Sequence, residues 1–177
     1  MALITPKNIQ SSSIADLAAS KVTGTLSSSN LLSKTVIQTK TSTLTGQVGT
    51  SSDADVATGL TLAITPVFAG STFILTMASG QQTWDVQNLN MVAALYISNP
   101  TGVTPVQVSY IGAIRQSSTY NGTWSCQYTH TPSYTLGNEI TYHIYMRSRG
   151  GGGNVWFSYN TGGLTSPVNL RCDEIKA

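Results

Sequence analysis

His130 and His143 are the only histidines in the chain. Each stands inside an alternating apolar-polar run, with no Asp or Glu at ligand or relay spacing. A structural or solvent-facing imidazole is the expectation for both, rather than a metal ligand or a general base. Asp53 and Asp55 form a close carboxylate pair in a Ser-rich stretch, but no oxygen-rich calcium-loop sequence surrounds them, so they read as a solvated turn. The seven acidic residues offer no convincing pair for glycoside hydrolysis, which needs two carboxylates facing across a cleft. Gly150 to Gly153 cannot cradle a phosphate, because neither a helix start nor a Lys follows; the run reads as a hairpin tip. Cys126 and Cys172 have no metal-ligand or redox spacing, and nothing signals an oxidising compartment, so two buried thiols are expected. No catalytic constellation, cofactor site or metal site emerges, and a non-enzymatic protein is the expectation.

Recognition chemistry remains. Trp84, Tyr120, Trp124, Tyr134 and Trp156 fall at or near strand ends, where aromatic rings stack on the apolar faces of sugars and neighbouring Asn, Gln and Ser bond the hydroxyls. The same rings also fill sandwich cores or subunit interfaces. Arg147 and Arg149, beside the Gly run, suit acidic sugars or simply solvate a hairpin. The candidate glycan contacts are therefore Trp84, Tyr120, Trp124, Trp156, Arg147 and Arg149.

These residues are positioned by a succession of short strands. From Ser33 onward the period is two. Leu60, Leu62 and Ile64 share one face, as do Phe73, Leu75 and Met77, and then Tyr142, Ile144 and Met146, with His143, Tyr145 and Arg147 opposite. Leu44 to Thr58 reads as a loop, Val86 to Ser98 as one long strand, and Gly112 as a bulge in the strand from Pro105 to Gln116. Val106, Val108 and Tyr110 are expected on one face of that strand. Asn121-Gly122 is the best hairpin-turn dipeptide, and Val168 to Ile175 closes the domain. Eight or nine strands at roughly ten-residue intervals, with no helical pattern between them, indicate an all-β antiparallel sandwich of jelly-roll type.

Before Ser33 the pattern differs. Leu3, Ile4 and Ile9 surround Pro6 in an extended arm suited to docking on another protein, and Ser13 to Ala19 has the cap and composition of one short helix. Leu17, Val22, Leu26 and Leu31 are apolar but separated by Ser, Thr, Gly and Ala at spacings that fit neither a long helix nor a strand. So thin a segment cannot bury them alone, and burial against symmetry copies around an axis is the economical expectation. The division is thus an attachment arm and trimerising joint over 1–32 and a β head over 33–177. Charged residues make up only 9% of the chain, against roughly a quarter in an average soluble protein. Nine scattered Lys and Arg and a net charge of +2 leave no basic stripe, which argues against nucleic acid. The N-terminus has no secretory pattern and no apolar run nears the roughly 20 residues a bilayer requires, so membrane insertion is not expected.

The joint ASKVTGTLSSSNL resembles the connector of bacteriophage tail-fibre proteins. The run SKTVIQTKTSTLTG, followed by TGLTLAITPVFAGSTFILTM, is similar to head domains of phage fibre and virion structural proteins, particularly those of cyanophage-like viruses. The resemblance implies a homotrimeric β head on an N-terminal attachment segment, with a role in virion structure or host-surface binding. Such fibres usually carry a shaft, absent here, which favours a short tail or baseplate fibre or a capsid-surface fibre. The expected localisation is the virion, assembled in the host cytoplasm, with partners among other virion proteins and host glycans. A capsid decoration protein and a monomeric carbohydrate-binding module are the alternatives.

Overall fold

In the computed structural model the described residues are 33–80, 82–84, 90–115, 121–150, 153–158 and 166–177. The arm with its expected helix, Leu3, Ile4, Ile9, Leu17, Val22, Leu26, Leu31 and also Tyr120 lie outside them. Among the described residues there are twelve strands: β1 Val36–Leu44, β2 Val48–Thr50, β3 Val56–Ile64, β4 Thr72–Ala78, β5 Gln82–Trp84, β6 Asn90–Ser98, β7 Val106–Arg115, β8 Asn121–Gly122, β9 Ser125–His130, β10 Ile140–Arg149, β11 Val155–Phe157 and β12 Val168–Ile175. There is no helix among the described residues.

Eight long strands form two antiparallel sheets, ordered β1-β12-β4-β9 and β3-β10-β6-β7. This strand order and connectivity is a jelly roll. The four short strands, β2, β5, β8 and β11, fall in the four connections that link β1 to β3, β4 to β6, β7 to β9 and β10 to β12. Because adjacent long strands run antiparallel, all four of these connections lie at one pole of the roll, where they pair into a third sheet ordered β2-β11-β5-β8. The opposite pole carries the β3–β4, β6–β7 and β9–β10 connections, together with the start of β1 and the end of β12, where Lys34 N donates to Lys176 O at 2.8 Å. We call these the capping pole and the entry pole.

Period-two patterning builds the core as expected. Leu60, Leu62 and Ile64 of β3, Phe73, Leu75 and Met77 of β4, and Tyr142, Ile144 and Met146 of β10 are all buried between the sheets. They meet Met91 and Leu95 of β6 and Val168, Leu170 and Cys172 of β12 in a single cluster. Each such large side chain contributes roughly 1.5–3 kcal/mol.

Three local expectations are corrected. Leu44 to Thr58 is not one loop: it holds the end of β1, all of β2 and the start of β3. The register of β3 against β10 jumps from His143↔Thr61 to Tyr145↔Ala57, and Gly59 absorbs the irregularity at φ +81°, while Thr58 Oγ1 donates to Ile144 O at 2.7 Å. Asn121-Gly122 is not a hairpin turn but strand β8, paired with Gln82 and Thr83 across the capping sheet. Val106, Val108 and Tyr110 do not share a face, because register shifts at Ala93/Ala94 and Leu95/Tyr96 insert extra residues in β7. Val108 and Ile111 therefore pack on the core, whereas Val106 and Tyr110 are exposed. The β7 irregularity does include the Gly112 region.

Both thiols are free. Cys172 pairs with Leu75 on one edge of β4 and Cys126 with Met77 on the other, so a whole strand separates them. Two strand spacings place them roughly 10 Å apart laterally, beyond disulfide reach. Burial pushes the Cys172 thiol up to about 12 and the Cys126 thiol up to about 11.

Glu174, on the inner face of β12, is fully buried. Its Oε1 accepts from Ser71 Oγ at 2.7 Å, Val67 N at 2.9 Å and Phe68 N at 3.1 Å, and its Oε2 accepts from Gln38 Nε2 at 2.6 Å. One carboxylate thus fastens β1, β12 and the β3–β4 connection together at the entry pole. Tyr134 joins the cluster, accepting from Ser71 N at 2.7 Å and donating to Phe68 O. Glu174→Gln places an amide N–H₂ among these donors, of which the Val67 and Phe68 amides have no other acceptor among the described residues. It is expected to cost roughly 2–4 kcal/mol, read as a lower urea midpoint at unchanged m-value.

Candidate functional site at the capping sheet

In the capping sheet β11 is flanked by β2 and β5, so Trp156 pairs with Gly49 on one side and Thr83 on the other, and Thr83 in turn pairs with Asn121 of β8. Cross-strand partners share a face. Val155 and Phe157, on either side of Trp156, are fully buried in the core. Gly49, Trp156 and Thr83 therefore share the face of this sheet opposite to that of Val155 and Phe157. The half-buried Trp156 indole lies on Gly49: a Cβ there would stand 2.3 Å from Cδ1 and 2.5 Å from Nε1. Any side chain at Gly49 would lift the ring off the sheet.

Polar groups at this pole are poorly matched. Gln82 is fully buried with neither amide atom hydrogen-bonded, and Ser158 Oγ and Trp124 Nε1 are likewise buried without a partner. Each such group, unless met by an ordered water, costs about 1–3 kcal/mol.

Trp84 lies in β5 opposite Val155, so its backbone belongs to the capping sheet. Trp124 sits between β8 and β9, tied by Trp124 N to Ser79 Oγ at 2.8 Å and by Ser79 N to Trp124 O at 2.9 Å. Its ring packs partly buried against the core, across Gly112 of β7, where a Cβ would stand 2.1 Å from Cζ3. Arg149 is exposed at the end of β10, also at the capping pole. The capping pole thus gathers Trp84, Trp124, Trp156 and Arg149, while Trp124 is a wedge between sheets rather than a presented ring.

Arg147 belongs elsewhere. On the outer face of the β3-β10-β6-β7 sheet its guanidinium lies 4.4 Å from the Tyr110 ring centroid, and Nε stands 3.6 Å from Asp55 Oδ1. Asp55 also accepts from the Tyr96 hydroxyl at 2.7 Å, and Tyr96 stacks on Tyr145 at 4.1 Å. Burial, with the Asp55 hydrogen bond and charge, pushes the Tyr96 hydroxyl up to about 12. Asp55 is therefore not a solvated turn residue but the centre of a Tyr-Arg-Tyr network. Sequence reading placed His143, Tyr145 and Arg147 on the outward face of β10, yet Tyr96, Tyr110 and Asp55 join them only through strand order.

Both histidines are structural in their contacts. The Ser98 hydroxyl donates to Val103 O at 2.8 Å, so His143 Nε2, 2.9 Å from Ser98 Oγ, is the donor and carries the proton. His130 Nδ1 lies 3.2 Å from the Tyr142 hydroxyl. Burial lowers both imidazoles below their ordinary value and raises the Tyr142 hydroxyl. Among the described residues there is no group of three or more His, Cys, Asp or Glu that could hold a metal ion, and no helix long and apolar enough to cross a membrane.

No family model and no curated protein sequence matches the chain. Among solved structures, a chain of infectious bursal disease virus, Gx strain, is similar over 80% of this chain at 18% identity, with a TM-score of 0.42; the present chain spans 37% of its length. Eiger TNF from S. frugiperda is similar over 78% of this chain and 93% of its own, at 13% identity and a TM-score of 0.38. The jelly-roll assignment rests on the strand order itself.

The lowered imidazoles fix a sign. The unfolded chain takes up protons near the ordinary histidine value of about 6.5, whereas the folded chain does so only at lower pH, so the unfolded state binds more protons as pH falls. Stability is expected to be full above that range and to decline through it. Urea midpoints between about pH 7.5 and 5.5 should fall in the wild type, and the decline should flatten in the His130→Gln/His143→Gln double variant.

Proposed function

We propose that this chain is a non-enzymatic virion structural protein, a short homotrimeric tail or baseplate fibre. Its 1–32 segment attaches it to other virion proteins, and its jelly-roll head meets host-surface glycans. The observation that carries the reading is the polarity of the head. The preceding segment joins at the entry pole, beside Lys176, whereas Trp124, Trp156, the backbone of Trp84, Arg149 and the unmatched Gln82 and Ser158 side chains lie at the capping pole. A module tethered at one end and recognising at the other is what a fibre head requires.

Composition supports the same reading. A surface of hydroxyls and amides with 9% charged residues binds neutral saccharides without electrostatic selection. Three weak sites on one rigid head bind an arrayed glycan far better than one site does. The apolar residues Leu17, Val22, Leu26 and Leu31 supply the joint around the threefold axis, as the resemblance to phage fibres implies.

Light scattering of the full chain is expected to give three times the chain mass, and antibody against the head to label the tail of intact particles. Leu26→Asp with Leu31→Asp buries charge around the axis and is expected to dissociate the trimer while the β circular-dichroism spectrum stays. A wild-type monomer, or label confined to the capsid shell, would count against the fibre.

A further inference from the structure

We propose that β1 and β12 form a mechanical clamp, which holds the head together against a pull arriving through Ser33. The clamp is directional. It resists a load that runs from the entry pole to the capping pole, and it opens easily when Ser33 and Ala177 are drawn apart. That such a load reaches the head through residues 1–32 rests on the fibre reading, whereas the directional strength belongs to the fold itself.

Ser33 leads at the entry pole directly into β1, which runs to the capping pole. β12 returns antiparallel beside it, from Leu44↔Val168 to Val36↔Ile175, with one irregularity between Val36 and Gln38. Lys34 N donates to Lys176 O at 2.8 Å and Lys176 N to Thr35 O at 3.0 Å, so the pairing continues outward past both strand ends. Antiparallel ladder bonds lie perpendicular to the strands. A pull on Ser33 along the strand axis, with the head held at the capping pole, therefore slides β1 along β12 and strains the whole ladder at once. Drawing Ser33 and Ala177 apart acts across the strands instead, because both lie at the same pole, and it opens the bonds one after another.

The side chains along this seam reinforce it. β1 and β9 are the two edges of one sheet, and neither contains a fully buried residue, so core packing holds both only in part. β1 is nevertheless tied to β12 by Gln38 Nε2 donating to Glu174 Oε2 at 2.6 Å, Thr39 Oγ1 to Asp173 Oδ1 at 2.5 Å and Thr43 Oγ1 to Asn169 Oδ1 at 2.8 Å. Gln38 Nε2 also donates to Thr65 O at 2.7 Å. Between β9 and β4, among the described residues, the corresponding tie is a long one, from Gln127 Nε2 to Thr76 Oγ1 at 3.5 Å. Reinforcement thus falls on the edge strand that receives the chain from Ser33. Two of the acceptors are themselves fixed, Glu174 by the amides of Val67 and Phe68 and Asp173 by Arg171 Nε at 2.9 Å. These side-chain bonds cross the seam near both of its ends, at Gln38 and at Thr43, and share the shear with the backbone ladder.

The test is single-molecule pulling on the full-length protein through pairs of azide-bearing residues. One pair replaces Ser33 and Arg149, an exposed residue at the capping end of β10, and the other replaces Ser33 and Ala177. At equal loading rate the Ser33/Arg149 pair is expected to give way at a severalfold higher force than the Ser33/Ala177 pair, since forced unfolding is governed by the barrier that the load meets. Gln38→Met combined with Thr39→Val and Thr43→Val should lower the ratio of the two forces, whereas Thr129→Ala, at an exposed position on β9, should leave it unchanged. Thr39→Val alone removes one tie while keeping the shape of the side chain, and should lower the ratio to a smaller extent; it stays informative if the triple variant does not fold. The clamp is overturned if both pairs give way at the same force, if the folded variants keep the wild-type ratio, or if Thr129→Ala lowers it as much as they do. Equal forces in a protein that is trimeric and labels the tail remove the clamp and leave the fibre standing. A directional response in a protein that fails those two tests removes the fibre and leaves the clamp.

Discussion

The buried carboxylate of Glu174 holds the entry pole together, and the arrangement of the roll depends on it. A lone ionisable group taken from water is costly unless its lone pairs are satisfied. Here the donors are two backbone amides of the β3–β4 connection, the Ser71 hydroxyl and the Gln38 amide. Those groups belong to β1 and to the turn between the sheets, so the two sheets are joined at one end by polar contacts as well as by the apolar core. Gln38 extends the tie by donating to Thr65 O at 2.7 Å. A well-satisfied pole of this kind fixes where the chain enters the head.

The capping pole is built on a different principle. Its sheet has strands of two or three residues, drawn from four separate connections, and its polar side chains are incompletely matched. Its stability comes from the inner face, where Val155 and Phe157 are buried. The outer face is left to the choice of side chains, and it carries Trp156 on a glycine. The best-matched polar contacts thus lie at one pole and the unmatched polar side chains at the other.

The apolar alternation of β3, β4, β10 and β12 was legible in the sequence because each of these strands buries one face, and a period of two exposes that face directly. β12 was found to the residue. The short strands were not legible: two or three residues carry no periodicity, and Asn121-Gly122 has the chemistry of a turn although its partner lies in β5. β7 misled for another reason, since each inserted residue exchanges the inward and outward faces, and Val108 and Ile111 turn to the core while Tyr110 turns out. Of the candidate contacts, Trp156, Trp84 and Arg149 were drawn toward one pole by a topology the sequence does not state. The role of Asp55 was invisible because its partners Tyr96 and Arg147 are 41 residues away in the one case and in a different strand in the other. The seat of Trp156 on Gly49 depends wholly on cross-strand register.

The origin of the capping sheet in four separate connections bears on how such a head could diversify. Each short strand is anchored at both ends by long strands whose register is set by the core, so one connection can be exchanged while the other three keep their places. Lengthening or recoding the link around β8, for example, would alter the rim beside Thr83 without touching the seat of the indole on β2. The roll thus acts as a fixed chassis with four interchangeable facets, so its capping face can be revised one facet at a time.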